Sequence, residues 1–284
     1  MSAGFGLGRV ALLGTGLIGG SLAAALKRQQ LALRIVGFSD GDAAEALALG
    51  LVDEVAESAE QAVAGCDTVV LAAPVSVNCD LLARIAPALS PGVLVTDVSS
   101  VKMPVVAAAI RHLGSALPGF VPCHPIAGGE RSGPQAADAG LFAGRAVILS
   151  PLPGSEPDKV TRVEAIWQRL GANVVRMHPE EHDRVYALVS HWPHAVSFAL
   201  AAALSTSRIG DGLVGPGLRD LTRTAASSPA LWADILLQNA GPVLSAADQV
   251  QRELASIRQA IEIRDRDTLI ALFDQAAAWR RRLG

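Results

Sequence analysis

The chain has 284 residues, about twice the usual domain length, so we expect two domains or one large α/β domain with an appendage. Half of the residues are hydrophobic and only 4% are aromatic, which excludes a disordered chain and indicates packing by Ala, Leu and Val. The net charge of −3, without a long block of like charges, argues against a nucleic-acid partner.

Cysteine content and hydropathy indicate a cytoplasmic protein. The three cysteines, Cys66, Cys79 and Cys123, fit neither a disulfide framework nor a paired-cysteine metal site, which points to a reducing compartment. Residues 1–9 lack the basic segment of a signal peptide, and no stretch of about 18 uninterrupted apolar residues is present. We therefore expect no membrane partner.

Short runs of Val, Leu and Ile alternate with longer Ala-rich stretches over residues 9–149, as in βαβ units. The runs are almost continuously apolar, which predicts a Rossmann-type, doubly wound, mostly parallel sheet buried on both faces. The predicted strands are 10–13, 34–38, 68–71, 93–96, 120–123 and 146–149, and the helices between them are 21–29, 43–48, 77–86 and 105–112. A helix at 159–170 and a strand at 173–177, expected to extend the same sheet, follow.

Beyond residue 182 only helical patterns occur. The predicted helices are 183–205, 218–226, 230–238, 242–264 and 267–282. We therefore place a dinucleotide-binding domain at residues 1–181 and an all-helical substrate-binding and dimerisation domain at 182–284. Because an Ala- and Leu-rich helical domain would expose much apolar surface on its own, we expect a homodimer.

A glycine motif follows the first predicted strand and opens the first helix. Gly14 permits the tight turn, Gly16 lets a pyrophosphate approach the backbone, and Gly19 lets helix and strand pack closely. This strand-turn-helix context makes the motif informative, because the helix start offers free N–H groups to a phosphate. The sequence therefore predicts a nicotinamide dinucleotide site.

The second predicted strand should deliver an acid to the adenosine ribose if the cofactor is NAD. The chain reads Ser39-Asp40 there, so the acid is displaced by one position. No arginine adjoins Asp40 in the sequence to bind a 2′-phosphate, which favours NAD and leaves NADP possible.

Polar motifs follow two later strands, where open α/β sheets bind ligands. They comprise residues 97–102 and 124–130, and further groups stand at 182–183, 190–194 and 219–223. Taken in this order, together with the Gly16–Ser21 helix start, they resemble the prephenate and arogenate dehydrogenases of tyrosine biosynthesis. In that family a glycine often precedes the motif serine, whereas in this chain Ser99 precedes Ser100.

This resemblance implies an NAD(P)-dependent oxidative decarboxylation that yields 4-hydroxyphenylpyruvate from prephenate or tyrosine from arogenate. It implies that His124 is the base for the ring hydroxyl and that Ser100 bonds the same oxygen. We assign Arg223 to a carboxylate of this dianionic substrate, because its planar cation suits one, and the resemblance implies that His194 faces the side chain. We add the hypothesis that Glu130 attracts the amino group of arogenate. The expected cofactor contacts are Gly14, Gly16, Leu17, Ile18, Gly19, Ser39, Asp40 and Pro74.

Two other functions stay open from the residues alone. A β-hydroxyacid or imino-acid dehydrogenase shares the two-domain plan, but typically uses a lysine in the helical domain, and this chain has none after Lys159. A non-catalytic NAD(H) sensor would bind the cofactor without turnover. A histidine metal site is disfavoured because Pro179 and Pro193 disturb the helical spacings that it needs.

Overall fold

The computed structural model describes residues 6–129, 131–207 and 211–283. The larger sheet contains six strands: β1 (Arg9–Leu13), β2 (Arg34–Phe38), β3 (Glu54–Val55), β4 (Thr68–Leu71), β5 (Leu94–Asp97) and β6 (Phe120–Val121). All neighbouring pairs are parallel, in the order β3-β2-β1-β4-β5-β6. The register pairs Leu13 with Leu71 and Leu71 with Asp97, so the loops after β1, β4 and β5 leave at one edge.

Helices cover both faces of this sheet, which confirms the doubly wound fold. They are α1 (Leu17–Arg28), α2 (Ala43–Ala48), α3 (Ala59–Val63), α4 (Val75–Ile85) and α5 (Met103–His112). Val10 and Leu12 of β1 point into the core layer under α1, while Ala11 and Leu13 point into the layer under α3, α4 and α5. β3 and α3 were missed by the sequence analysis because both are very short.

A second, three-stranded sheet departs from the sequence prediction. Its strands are β7 (Cys123–Pro125), β8 (Ala146–Leu149) and β9 (Asn173–Arg176), with α6 (Pro157–Arg169) between the last two. The predicted strand over residues 120–123 is divided between the two sheets at Pro122, which has no N–H for a ladder hydrogen bond. The strand at Asn173–Arg176 pairs with β8, so the prediction that it extends the first sheet is wrong.

All regular structure in residues 179–207 and 211–283 is helical, as the sequence predicts. The helices are α7 (Pro179–Tyr186), α8 (Trp192–Ser205), α9 (Pro216–Thr222), α10 (Pro229–Gln238), α11 (Ala240–Glu262) and α12 (Arg266–Arg281). A π-helical turn at Ala187–His191 joins α7 to α8, and a 3-10 turn at Arg223–Ala226 follows α9. The side chains of Ser228 and Asp265 cap α10 and α12 by accepting backbone N–H bonds.

The continuous helical run Pro179–Ser205 is long and apolar enough to cross a membrane by length and composition alone. It also carries His182, Asp183 and His191, which are buried and hydrogen-bonded to other parts of the chain. Such contacts are those of a helix packed within a folded domain, because polar groups buried in protein need partners there.

Candidate active site

The glycine loop has the geometry that a dinucleotide pyrophosphate requires. Gly14 has φ of 106°, and a side chain there would meet the backbone of Ala72. A Cβ on Gly19 would lie 2.0 Å from the oxygen of Gly14, whereas a Cβ on Gly16 would have no heavy atom within 4 Å. The start of α1 has no acidic residue in its first turn and no side-chain cap, so its N–H groups are available to an anion.

The residues predicted to bind the adenosine ribose do not line the large cleft. Ser39 is half-buried and Asp40 is exposed, and neither is among the described residues that line the large cleft. Arg84 of α4 lies with its guanidinium carbon 5.9 Å from the centre of the Phe38 ring and pairs with Glu60. The sequence analysis missed this cation because it comes from a helix far along the chain.

A cleft of about 1030 Å³ lies where the glycine loop, β7 and the helical part meet. It brings most of the predicted contacts together, while Gly14 and Gly19 support the loop beneath it, and Glu130 lies outside the described residues. The predicted site residues that line the cleft are Gly16, Leu17, Ile18, Pro74, Ser100, His124, His194 and Arg223.

A buried charge network fixes the loop after β5 to β7. The carboxylate of Asp97 accepts hydrogen bonds from the N–H groups of Ser99 and Cys123, at 3.0 and 3.1 Å. Lys102 forms an ion pair with Asp97 and also donates to the carbonyl of Cys123. Because these contacts join the residues next to Ser100 and His124, they fix the positions of both predicted catalytic residues relative to each other.

The surroundings of His124 favour its neutral form. Burial lowers the pKa of its imidazole well below the usual value, and positive charge on His182, Lys102 and His191 would lower it further. A neutral imidazole has one nitrogen lone pair and can accept a proton from a hydroxyl group. The side chain is half-buried on β7 and borders the cleft.

His194 of α8 also lines the cleft. Its Nδ1 lies 2.8 Å from the carbonyl oxygen of Ser190, and its ring stacks on Trp232 with centroids 3.6 Å apart. A carbonyl only accepts, so Nδ1 carries the proton in this contact. Burial is the main cause that lowers the pKa of His194, and the nearby Arg223 lowers it too.

Several polar residues of the site were not predicted as functional. His182 and Asp183 are buried directly behind His124, and Asn239 donates to the carbonyl of Asp183 at 2.8 Å. Asn239 also lies 3.0 Å from Nδ1 of His191, which borders the cleft. The sequence analysis noted the adjacent His-Asp pair at residues 182–183 as a polar motif, but the sequence alone gives no partner for it.

Comparison with known proteins gives the family. The family model "Prephenate dehydrogenase, nucleotide-binding domain" matches residues 22–176, and "Prephenate dehydrogenase, dimerization domain" matches residues 178–275. The chain belongs to the prephenate dehydrogenase family. This result confirms the resemblance seen in the motifs and the expected class of enzyme, an oxidoreductase.

Curated and solved members of the prephenate dehydrogenase family are similar over nearly the whole chain. Prephenate dehydrogenase of Bacillus subtilis is 38% identical, with 95% of this chain and 75% of the relative covered. Cyclohexadienyl dehydrogenase of Zymomonas mobilis is 36% identical, with coverage of 94% and 93%. The crystal structure of Aquifex aeolicus prephenate dehydrogenase with hydroxyphenyl propionate and NAD⁺ has a TM-score of 0.90 at 31% identity, covering 99% and 100% of the two chains.

Enzymes of the first alternative class share only the fold. A 3-hydroxyisobutyrate dehydrogenase of Mycobacterium tuberculosis has a TM-score of 0.56 at 17% identity, with coverage of 94% of this chain and 98% of that one. Within residues 6–129, 131–207 and 211–283, no group of three or more His, Cys, Asp or Glu side chains is arranged to hold a metal ion.

Proposed function

We propose that the protein catalyses the NAD-dependent oxidative decarboxylation of prephenate, arogenate or both. The observation that supports this most directly is that Gly16 of the glycine loop, His124, Ser100 and Arg223 line the same cleft. A base, a hydroxyl-binding serine and a carboxylate-binding arginine then face one volume, which suits a ring alcohol that carries carboxylates.

His124 takes the proton of the substrate's 4-hydroxyl, and Ser100 bonds the same oxygen. The C4 hydrogen leaves as a hydride, which bound NAD⁺ accepts. The ring carboxylate leaves as carbon dioxide, and its bonding electrons complete the aromatic ring. A positioned imidazole base contributes roughly 10²- to 10⁴-fold in rate. Arg223 binds a carboxylate as a fixed planar cation.

NAD is the proposed cofactor, and its preference over NADP stays a prediction. The open space above Gly16 and the free start of α1 suit a pyrophosphate, with Leu17, Ile18 and Pro74 along the same wall of the cleft. Ser39 and Asp40 follow directly after β2, where the ribose hydroxyls of NAD are expected.

The test is an absorbance assay of reduced nicotinamide that crosses prephenate and arogenate with NAD⁺ and NADP⁺. We expect turnover with NAD⁺ and at least one of the two substrates. His124→Asn should keep cofactor binding and lose at least about 10²-fold in kcat, whereas His178→Asn, on the exposed surface, should match the wild type. Near-normal turnover of His124→Asn would remove this residue from the mechanism.

A non-catalytic sensor makes a different prediction in the same assay, namely binding of NAD(H) without substrate-dependent reduction. A β-hydroxyacid dehydrogenase would oxidise small hydroxy acids instead. The family result does not favour either alternative, and the helical part has no lysine for the second.

We propose a homodimer formed through the helical part. A dimerization-domain model matches residues 178–275, and this part exposes many large apolar side chains, which rarely remain uncovered in a monomer. They include Leu213, Leu221, Leu237, Leu244, Leu254, Ile261, Ile263, Phe273 and Trp279. Sedimentation of a stable monomer at micromolar concentration would reject the dimer.

We also propose that the second domain begins at His182 and that the protein is located in the cytoplasm. The two family models change over at residue 177, and the last strand ends at Arg176. Proteolysis mapped by mass spectrometry would find the linker between the domains, and cell fractionation would find the compartment.

A further inference from the structure

We propose that His182 and Asp183 are positioning residues that set the tautomer of His124 and stabilise its protonated form. The proposal rests on the role given to His124 under the proposed function. It adds that the base is completed only when the helical part docks against the sheet, because α7 supplies both residues and β7 supplies His124.

The three side chains form a continuous hydrogen-bonded chain. Nδ1 of His124 lies 2.8 Å from Nε2 of His182, and Nδ1 of His182 lies 2.8 Å from Oδ1 of Asp183. The Asp183 carboxylate accepts the N–H groups of Lys102 and Met103 at 2.7 and 2.8 Å, at the start of α5. These backbone donors fix the carboxylate in place, so the chain has a rigid end.

The partners determine where each proton lies. Both Asp183 oxygens act as acceptors, so Nδ1 of His182 carries a proton and Nε2 of a neutral His182 keeps its lone pair. That lone pair accepts the Nδ1–H of His124, which leaves the lone pair of His124 on Nε2. A base needs this nitrogen free, and the opposite tautomer would carry a proton there instead.

The same chain opposes the loss of basicity that burial causes. When His124 takes up a proton, its Nδ1–H remains bonded to His182, which is backed by the Asp183 carboxylate. Lys102 acts against protonation of both imidazoles, and Asp97 raises the pKa of His182. His191 and Tyr186 also face these rings. The ring centre of Tyr186 lies 5.1 Å from that of His124 and 4.5 Å from that of His182.

A purely structural role for His182, which is fully buried, makes different predictions. If it only filled space, an apolar residue of similar size would preserve activity as well as an amide would. If it positions His124, the replacement must still accept the Nδ1–H. The substitutions His182→Gln and His182→Leu separate these two roles, because only glutamine retains an acceptor.

The first experiment compares the kinetics of these variants. We expect His182→Leu to lose at least about 10²-fold in kcat with KM for substrate and NAD⁺ within about threefold, and His182→Gln to keep activity within about tenfold. The acid limb of the kcat/KM profile should move to lower pH in His182→Leu, because protonated His124 loses its acceptor. Equal activity and equal pH profiles in the two variants would overturn the proposal.

Asp183→Asn tests the end of the chain. The amide lacks the carboxylate charge that stabilises protonated His124, and an amide NH₂ in the position of Oδ1 would also reverse the tautomers of both histidines and place a proton on Nε2 of His124. We expect a loss of at least about 10²-fold in kcat, as for other bases held in the wrong tautomer. Exposed His178→Leu is the control and should behave as the wild type.

Nitrogen-15 NMR of histidine-labelled wild-type protein gives a readout that needs neither turnover nor a stable variant. We expect His124 and His182 both to be protonated at Nδ1, and a proton on Nε2 of His124 would overturn the proposal. The spectra of His124→Asn and His182→Gln assign the signals. Correct tautomers without turnover of prephenate or arogenate would instead contradict the proposed function.

Discussion

Lys102 and Asp97 form an ion pair in which both side chains are fully buried beneath the cleft. Lys102 also donates to the carbonyl of Cys123, and Asp97 accepts the N–H of Cys123, so the pair joins β5 to the strand that carries His124. This buried ion pair therefore stabilises the site, unlike an ion pair on the protein surface.

Removing one partner of this pair should destabilise the protein strongly. Lys102→Met leaves the Asp97 carboxylate buried without its cation, which costs about 3–5 kcal/mol. Lys27→Met breaks a partly exposed ion pair with Asp53 and should cost less than about 1 kcal/mol. Urea unfolding followed by circular dichroism measures both, and similar losses in the two variants would contradict the assigned role of Lys102.

The two glycines of the loop should respond differently to alanine. A Cβ on Gly19 would lie 2.0 Å from the Gly14 oxygen, so Gly19→Ala should lower both the free energy of unfolding and the affinity for NAD⁺. Gly16→Ala places its methyl group in open space and should keep stability while weakening NAD⁺ binding.

Calorimetric titration with NAD⁺, combined with thermal unfolding, distinguishes these effects. Gly217→Ala, where a Cβ also meets nothing within 4 Å, is the control outside the cleft. Unchanged NAD⁺ affinity in Gly16→Ala would contradict the proposed pyrophosphate position.

Arg223 should contribute mainly to substrate binding. A carboxylate is contacted in the ground state and the transition state alike, so Arg223→Ala should raise KM by roughly 10- to 100-fold with a smaller change in kcat. Arg219→Ala alters an exposed arginine outside the described lining of the cleft and should leave KM unchanged. Initial rates with varied substrate decide the matter, and an unaltered KM in Arg223→Ala would show that the pairing is wrong.

Glu130 should influence the choice between the two substrates. An acid near the side-chain pocket attracts the ammonium group of arogenate, and prephenate has a keto group instead. Glu130→Gln should therefore lower the ratio of kcat/KM for arogenate to that for prephenate by roughly fivefold. Glu57→Gln is the surface control, and the hypothesis fails if Glu130→Gln leaves the ratio unmoved.

Stability should fall as the pH decreases from 6.5 toward 4. Burial lowers the pKa of His191 to about 4, and it also lowers the pKa values of His124, His182 and His194. The unfolded chain then binds more protons than the folded protein in this range, so the free energy of unfolding drops with each proton taken up. One histidine contributes at most about 1.4 kcal/mol per pH unit.

Urea unfolding at several pH values measures this slope. His191→Gln should flatten it, because one depressed imidazole is removed, while His178→Gln on the surface should retain the wild-type slope. An equally steep slope in His191→Gln would mean that other groups cause the pH dependence.

Local patterns determined much of this protein. The apolar runs predicted the strands at Arg34–Phe38, Thr68–Leu71 and Ala146–Leu149 with their observed bounds, and the glycine motif predicted the loop between β1 and α1. The order of polar motifs indicated the family, and most of the predicted site residues line the cleft. Such features depend on residues close together in the chain, where periodicity and turn chemistry act directly.

Only the tertiary structure decided which polar groups meet. His124 and His182 are 58 positions apart, and Lys102 and Asp183 are 81 apart, yet each pair is joined by a hydrogen bond. The division at Pro122 and the pairing of β9 with β8 likewise depend on which strand edges the folded chain leaves open. A buried histidine has the same local sequence whether or not a partner lies behind it, so its hydrogen bonds follow from how the helical part packs on the sheet.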